Sequence, residues 1–202
     1  MPGESDRSTR PPWRQWGMAD HNRYEADPNR VAIVLPGARY TPAHPLLYFT
    51  RGVLHAHGWT VQEVWWEPPA LSDRAAVSGW VCDQATAALD REKAERLLLV
   101  GKSLGTFAAP VAVERDLPAI WLTPLCGERY VTGALTTATA PTLLVGGTGD
   151  PTWNGDLARS TKAEVLEIPG ADHGLETEHD PVNSADILRQ VVGTVDGFVA
   201  RL

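Results

Sequence analysis

Leu97-Leu98-Leu99-Val100-Gly101-Lys102-Ser103-Leu104-Gly105 is an apolar strand pattern running straight into a Gly-x-Ser-x-Gly motif. It reads as a nucleophile elbow, a strand-to-helix turn so tight that the serine is held in a strained backbone conformation with its hydroxyl presented outward. The glycines at 101 and 105 are steric requirements, because a side chain at either would collide with the neighbouring strand and helix backbones. With glycine and serine each about 7% of residues, the three fixed positions match by chance in roughly one chain of this length in fifteen, so the motif needs its context. That context is present. Four apolar residues precede the turn, and 104–114 continues with the alanines and apolar spacing of a buried helix.

The same rhythm recurs after Arg30. Short apolar runs at 31–35, 61–65, 97–100, 119–122, 142–146 and 164–168 read as buried strands. Helix-compatible stretches at about 43–57, 73–93, 104–114, 127–137 and 152–160 lie between them, and a long amphipathic segment at about 183–201 closes the chain. This alternation predicts an α/β class protein, a single-domain three-layer sandwich with a mainly parallel sheet flanked by helices. Residues 1–12, rich in Pro, Arg, Ser and Asp, have almost nothing to bury and read as a flexible tail, which places the domain at 13–202. The first edge strand is expected within 13–29, and Met18 is an alternative start of the chain.

The 202 residues are 43% hydrophobic, enough for one continuous core. With a formal net charge of −7 and no cluster of Lys and Arg able to track a phosphate backbone, nucleic acid is excluded as the expected partner. No stretch approaches the roughly 18 apolar residues of a membrane span, and the N-terminus lacks the apolar core of a secretion signal, so the expected location is cytoplasmic, away from membrane. In that compartment Cys82 and Cys126 read as thiols rather than a disulfide. His55 and His57 have a spacing sometimes used for metal, but no convincing third ligand and no HExxH or paired CxxC motif accompanies them; they read as surface histidines, with no metal or cofactor expected.

In a sheet of this kind ligands bind beyond the carboxyl ends of the strands, so the polar residues that follow each strand are the informative ones. Ser103 follows Val100, Asp150 follows the fifth apolar run in Gly146-Gly147-Thr148-Gly149-Asp150-Pro151, and His173 follows the sixth in Pro169-Gly170-Ala171-Asp172-His173-Gly174. A serine hydroxyl is a poor nucleophile at neutral pH and needs a base within hydrogen-bond reach, the role of an imidazole. A carboxylate on the other ring nitrogen selects the working tautomer and stabilises the imidazolium. Asp156 is the alternative acid and His179 the alternative base, both less well placed after their strands.

With Ser, Asp and His in that order, the chain resembles the α/β-hydrolase superfamily over roughly residues 31 to 202. It looks most like the small, lidless hydrolases akin to dienelactone hydrolase, and like a group bearing Gly-Lys-Ser-Leu-Gly and Trp-Leu-Thr-Pro-Leu, here at 101–105 and 121–125. The dienelactone enzymes use a cysteine nucleophile; Ser103 points instead to a generic serine hydrolase. The resemblance implies an oxyanion hole made by the backbone N–H of Leu104 and a second donor in Pro36-Gly37-Ala38-Arg39-Tyr40, assigned to Ala38 with Arg39 as the alternative. It also implies a cofactor-independent cleavage of carboxylic esters through an acyl-enzyme on Ser103. A thioesterase or peptidase would use the same machinery, and a non-catalytic binding or scaffold module on the same fold is the rival class.

By position, Arg39, Tyr40, Trp66, Trp121, Thr123, Leu125 and Trp153 are the candidate walls of a substrate pocket, while Trp59, Trp65 and Trp80 read as core or helix packing. Arg39 and Lys102 are open to an anionic substrate or to solvent, and His44 reads as a cap or surface residue. The nineteen residues 123–141, where relatives with a lid insert it, are too few for a large cap, so a relatively open site is expected.

Overall fold

The computed structural model describes residues 23–70 and 72–202. Among the described residues seven strands form one sheet: β1 (Arg23–Tyr24), β2 (Asp27–Leu35), β3 (Trp59–Glu63), β4 (Arg96–Lys102), β5 (Ala119–Leu122), β6 (Thr142–Gly147) and β7 (Glu164–Ile168). Their order is β1-β3-β2-β4-β5-β6-β7, with β1 antiparallel to β3 and every other pair parallel. The helices are α1 (Pro45–Ala56), α2 (Arg74–Asp90), a 3₁₀ turn (Ser103–Ala108) running into α3 (Ala109–Glu114), α4 (Arg129–Thr137), α5 (Gly155–Ser160) and α6 (Pro181–Val199). The expected tail at 1–12 and the alternative start at Met18 lie outside the described residues.

Strand pleating sorts the apolar runs into two layers, because successive side chains point to opposite faces. Val31, Ile33, Leu35, Leu99, Trp121 and Leu144 pack with residues of α2, the 3₁₀ turn, α3 and α4. Ala32, Val34, Leu98, Val100, Ile120, Leu122, Leu143 and Val145 pack on the other face with residues of α1 and α6. Both faces are covered, which is why the strands read as unbroken apolar runs rather than alternating ones.

The chain passes from β2 outward to β3 and then returns to the far side of β2 as β4. The carboxyl ends of β2 and β4 therefore flank the point where the winding reverses, the place where an open parallel sheet leaves a crevice. Ser103 and the 36–40 loop both leave the sheet there.

Boundaries shift at several elements, the strand read as 31–35 beginning already at Asp27, and three of the differences have a clear local cause. The third strand is Trp59–Glu63 rather than 61–65, because the polar Glu63 is buried in an ion pair with Arg51 at 2.6 Å while the apolar Trp65 lies outside, 40% exposed. The segment after Ser103 is 3₁₀ before it is α, with Ala109 N–H donating to the Thr106 carbonyl three residues back. Pro110 explains the switch: it has no N–H to offer the preceding turn but is well suited to the start of an α-helix, where it stands. The last helix begins at 181 rather than 183, because Asp180 caps it through the Asn183 N–H at 2.9 Å with Pro181 behind it.

Candidate active site

Ser103 sits at the junction of β4 and the 3₁₀ turn with a φ of 51°, in the left-handed region that non-glycine residues rarely enter. The geometry is imposed by close packing. A Cβ at Gly101 would lie 2.6 Å from Trp121 Cζ3 and 2.7 Å from the Gly105 carbonyl oxygen, and one at Gly105 would overlap the carbonyl oxygen of Leu35 on β2. β4 can turn this sharply only because both positions lack a side chain.

His173 Nε2 lies 2.7 Å from Ser103 Oγ, and His173 Nδ1 lies 2.6 Å from Asp150 Oδ2. The two loops that bring them together are joined by two backbone–backbone hydrogen bonds and one from backbone to side chain. Thr148 N–H donates to the Ile168 carbonyl at 3.0 Å, Gly149 N–H to the Ala171 carbonyl at 2.9 Å, and Gly170 N–H to Thr148 Oγ1 at 2.8 Å. The Asp150 side chain is wholly buried, and the His173 side chain is 36% exposed. The rival residues point elsewhere: Asp156 is 97% exposed and paired with Arg159, and His179 is 89% exposed beside Glu178.

Burial alone would raise the Asp150 carboxyl, but hydrogen bonds from His173 and from the N–H and hydroxyl of Thr152 outweigh it and hold the group below its ordinary pKa. Asp150 thus stays ionised at neutral pH. Thr152 was not singled out in the sequence. Its N–H and hydroxyl both donate to Asp150 Oδ1 at 2.8 Å, leaving Oδ2 for the imidazole, and its oxygen lies 3.2 Å from His173 Nδ1. The signal was available: a hydroxyl residue two positions after an aspartate in a glycine-rich loop is an Asx-turn pattern. If the site is catalytic as argued below, Thr152→Val is expected to lower kcat about tenfold with little change in KM, whereas Thr152→Ser restores it, since loss of one hydrogen bond to a charged group is worth about 1.5–3 kcal/mol.

The other candidates divide. Leu104 is the second residue of the 3₁₀ turn, so its N–H has no acceptor within that turn. Ala38 is half-buried in a turn closed by Gly37 N–H on the Tyr40 carbonyl at 3.0 Å, and Arg39 beside it is exposed. Trp66 donates its indole N–H toward the Gly37 carbonyl at 3.4 Å and lies tilted on Trp80 with ring centres 5.2 Å apart. Trp153, half-buried, fills the space a Cβ at Gly146 would take and donates to Glu167 at 2.7 Å.

Trp121, Thr123 and Leu125 are corrections. They are 2%, 0% and 6% exposed and belong to the interior rather than to a pocket wall. Trp121 faces the α3 layer and fills the space beside Gly101, a placement fixed by strand alternation that an all-apolar strand does not betray. Thr123, with a φ of 45°, keeps a buried hydroxyl that has no hydrogen-bond partner among the described residues.

Lys102 is neither a solvent-facing cation nor an open anion site. It is 3% exposed, its Nζ donates to the main-chain carbonyl of His173 at 3.0 Å, and it lies 4.7 Å from the centre of the Tyr40 ring. Burial lowers its pKa to about 8, with Asp150, Asp172 and Glu176 pulling it part of the way back. Burial likewise pushes the Tyr40 phenol up to about 12, its oxygen accepting the Leu46 N–H at 2.9 Å. A cavity of about 370 Å³ opens between Tyr40, Leu46, Gly174, Leu175, Glu176 and the start of α6; it shares Tyr40 with the 36–40 loop, but Ser103, His173 and Asp150 do not line it. The residues of that wall beyond Tyr40 were missed, because they converge from elements distant in sequence.

No protein-family model and no curated protein matches this chain. Solved structures do. Est1E from Butyrivibrio proteoclasticus, solved with ferulic acid bound, superposes with a TM-score of 0.66 at 14% identity, covering 89% of this chain and 93% of that one. A serine hydrolase without a lid from Xanthomonas campestris gives 0.58 at 17% identity over 89% and 87% of the two chains. An esterase from Pyrococcus furiosus gives 0.62 at 14% over 86% and 83%. This chain has the α/β-hydrolase fold.

Within that α/β-hydrolase fold the 123–141 segment is taken up by α4, which packs against α3 instead of rising over the site. His55 Nε2 is 3.1 Å from the Glu25 carbonyl and His57 Nε2 2.8 Å from Asp196; among the described residues no group of three potential ligands could hold a metal ion. His44 precedes α1 and takes the Thr41 N–H on its ring at 3.1 Å. Cys82 and Cys126 are free thiols, and among the described residues no helix is long and apolar enough to cross a membrane.

Proposed function

We propose that this α/β-hydrolase-fold protein is a serine hydrolase that cleaves small carboxylic esters, with Ser103 as nucleophile, His173 as general base and acid, and Asp150 as the group that orients His173. One observation carries the reading: the chain of hydrogen bonds Ser103 Oγ to His173 Nε2 at 2.7 Å and His173 Nδ1 to Asp150 Oδ2 at 2.6 Å, set on a left-handed elbow serine. Such strain has little structural reason to exist and recurs where a hydroxyl must be presented to a substrate.

In this mechanism His173 accepts the Ser103 proton as Oγ bonds to the substrate carbonyl carbon. The oxyanion is received by the N–H of Leu104, at the start of a helical turn, and by that of Ala38. His173 then returns the proton to the departing alkoxide, leaving an acyl group on Ser103, and the same imidazole activates a water that releases the acid. No cofactor is required. The half-buried Tyr40, Trp66 and Trp153 favour a small, partly apolar substrate. Est1E, solved with ferulic acid bound, makes aromatic acyl esters a sensible part of the first panel.

The test is covalent capture. Treated with a fluorophosphonate and weighed intact, the wild-type chain is expected to gain one adduct and the Ser103→Ala chain none. A folded wild-type chain that gains no adduct, or a Ser103→Ala chain that gains the same one, overturns the proposal in favour of a binding module. Ester, thioester and peptide substrates are then separated by their rates on unlabelled wild-type protein, with the labelled protein as the inactive control.

A further inference from the structure

We propose that Lys102 is a positioning residue, its buried ammonium holding the main chain of His173 so that the imidazole stays aligned on Ser103. The inference rests on the hydrolase reading for its consequence in rate, but its geometry stands apart. Alternation along β4 turns Lys102 to the face of Val100, among the side chains of the α1 and α6 layer, where an apolar residue would be expected. An ammonium there gives up its hydration, and an apolar side chain of similar volume is often the more stable choice. What the lysine supplies is a donor, 3.0 Å from the carbonyl of His173.

That bond has no substitute. The main chain of 172–176 is otherwise tied to itself: Asp172 N–H to the Glu176 carbonyl at 3.0 Å, Leu175 N–H to the Asp172 carbonyl at 3.0 Å, and the Gly174 and Glu176 N–H groups to Asp172 Oδ1 at 2.7 and 3.0 Å. Among the described residues, Lys102 makes the one hydrogen bond that joins this stretch of main chain to the sheet. The lysine also lies against the ring of Tyr40 and 3.5 Å from where a Gly37 Cβ would sit. One side chain, springing from the residue before the nucleophile, thus touches the 36–40 loop and ends on the general base's loop.

Displacing a catalytic group by about 1 Å can cost on the order of 100-fold in rate. Lys102→Met keeps the length of the side chain and removes the donor. It is expected to lower kcat on p-nitrophenyl acetate by about 10- to 100-fold with KM changed less than about threefold, since Lys102 touches no substrate. The imidazole ¹⁵N shifts of His173, read through its carbon-bound protons, are expected to move, and this readout needs no catalysis. Should that variant not fold, Lys102→Gln takes its place: its shorter side chain ends short of the His173 carbonyl, and the imidazole shifts are expected to move in it as well. Wild-type kcat together with unmoved shifts in whichever variant folds overturns the assignment. Failure of fluorophosphonate capture in the wild type would sink the hydrolase reading alone, leaving the imidazole shifts to judge Lys102.

Discussion

Ser103→Ala is expected to lower kcat for ester hydrolysis by about 10⁴- to 10⁶-fold, His173→Ala by a similar factor, and the double variant by little more than either alone. The near-absence of further loss distinguishes a catalytic unit from residues that merely share a wall. On the proposed mechanism Ser103 attacks only with the help of the imidazole 2.7 Å away, so removing either removes the same step. Asp150→Asn is expected to cost about 10⁴-fold by presenting the wrong partner to Nδ1 and favouring the wrong tautomer. The activity that remains would come from the Leu104 and Ala38 donors and from binding. Initial rates for the four proteins, with folding checked by circular dichroism, decide the matter; additive losses, or rates within tenfold of wild type, would remove the three residues from the chemistry.

The acid also sets a stability expectation. Because the Asp150 carboxyl is held below its ordinary value in the folded chain, its hydrogen bonds add stability above that ordinary value, and the contribution is lost as pH falls through the lower folded value. Lys102 has the same sign in a more alkaline window. Its folded pKa of about 8 lies below the ordinary lysine value of 10.5, so between these values the unfolded chain binds the extra proton and stability again rises with pH.

The fold was legible because the elbow imposes a rare combination, two glycines at fixed spacing between a strand and a helix, and because each parallel strand is apolar on both faces. Ala119–Leu122 and Glu164–Ile168 fall at the ends the apolar runs mark. Glu63 obscured the third strand, since its burial depends on Arg51, a residue of another element. The Trp121 error has the same root: an all-apolar strand does not say which residue faces which helix layer, and both layers accept a tryptophan. Lys102 carried a signal that was read only in part. A lysine following four apolar residues and a glycine on a central strand must either leave the sheet or find an acceptor, and its acceptor, a carbonyl seventy-one residues on, is not visible in a linear reading.

The glycines supply the second large effect, and they do so in opposite directions. At Gly105 an added Cβ meets the Leu35 carbonyl oxygen, carbon and Cβ on β2, so the obstruction is largely backbone at the centre of the sheet and cannot rotate away. Gly105→Ala is therefore expected to destabilise the fold by about 3 kcal/mol or more, the upper range for overpacking, lowering the melting temperature by about 6–12 °C. Because relief requires β2 and the elbow to separate, esterase activity should fall with stability even below the melting transition. At Gly193, inside α6, a Cβ has nothing within 4 Å. There alanine removes the entropy cost of a helical glycine and meets no obstacle, so Gly193→Ala is expected to stabilise by about 0.5–1 kcal/mol. Both come from urea unfolding of the same pair of single-methyl additions. A Gly105→Ala protein as stable as the wild type would mean that β2 and the elbow are not in close contact, and the strained serine would lose the packing that holds it.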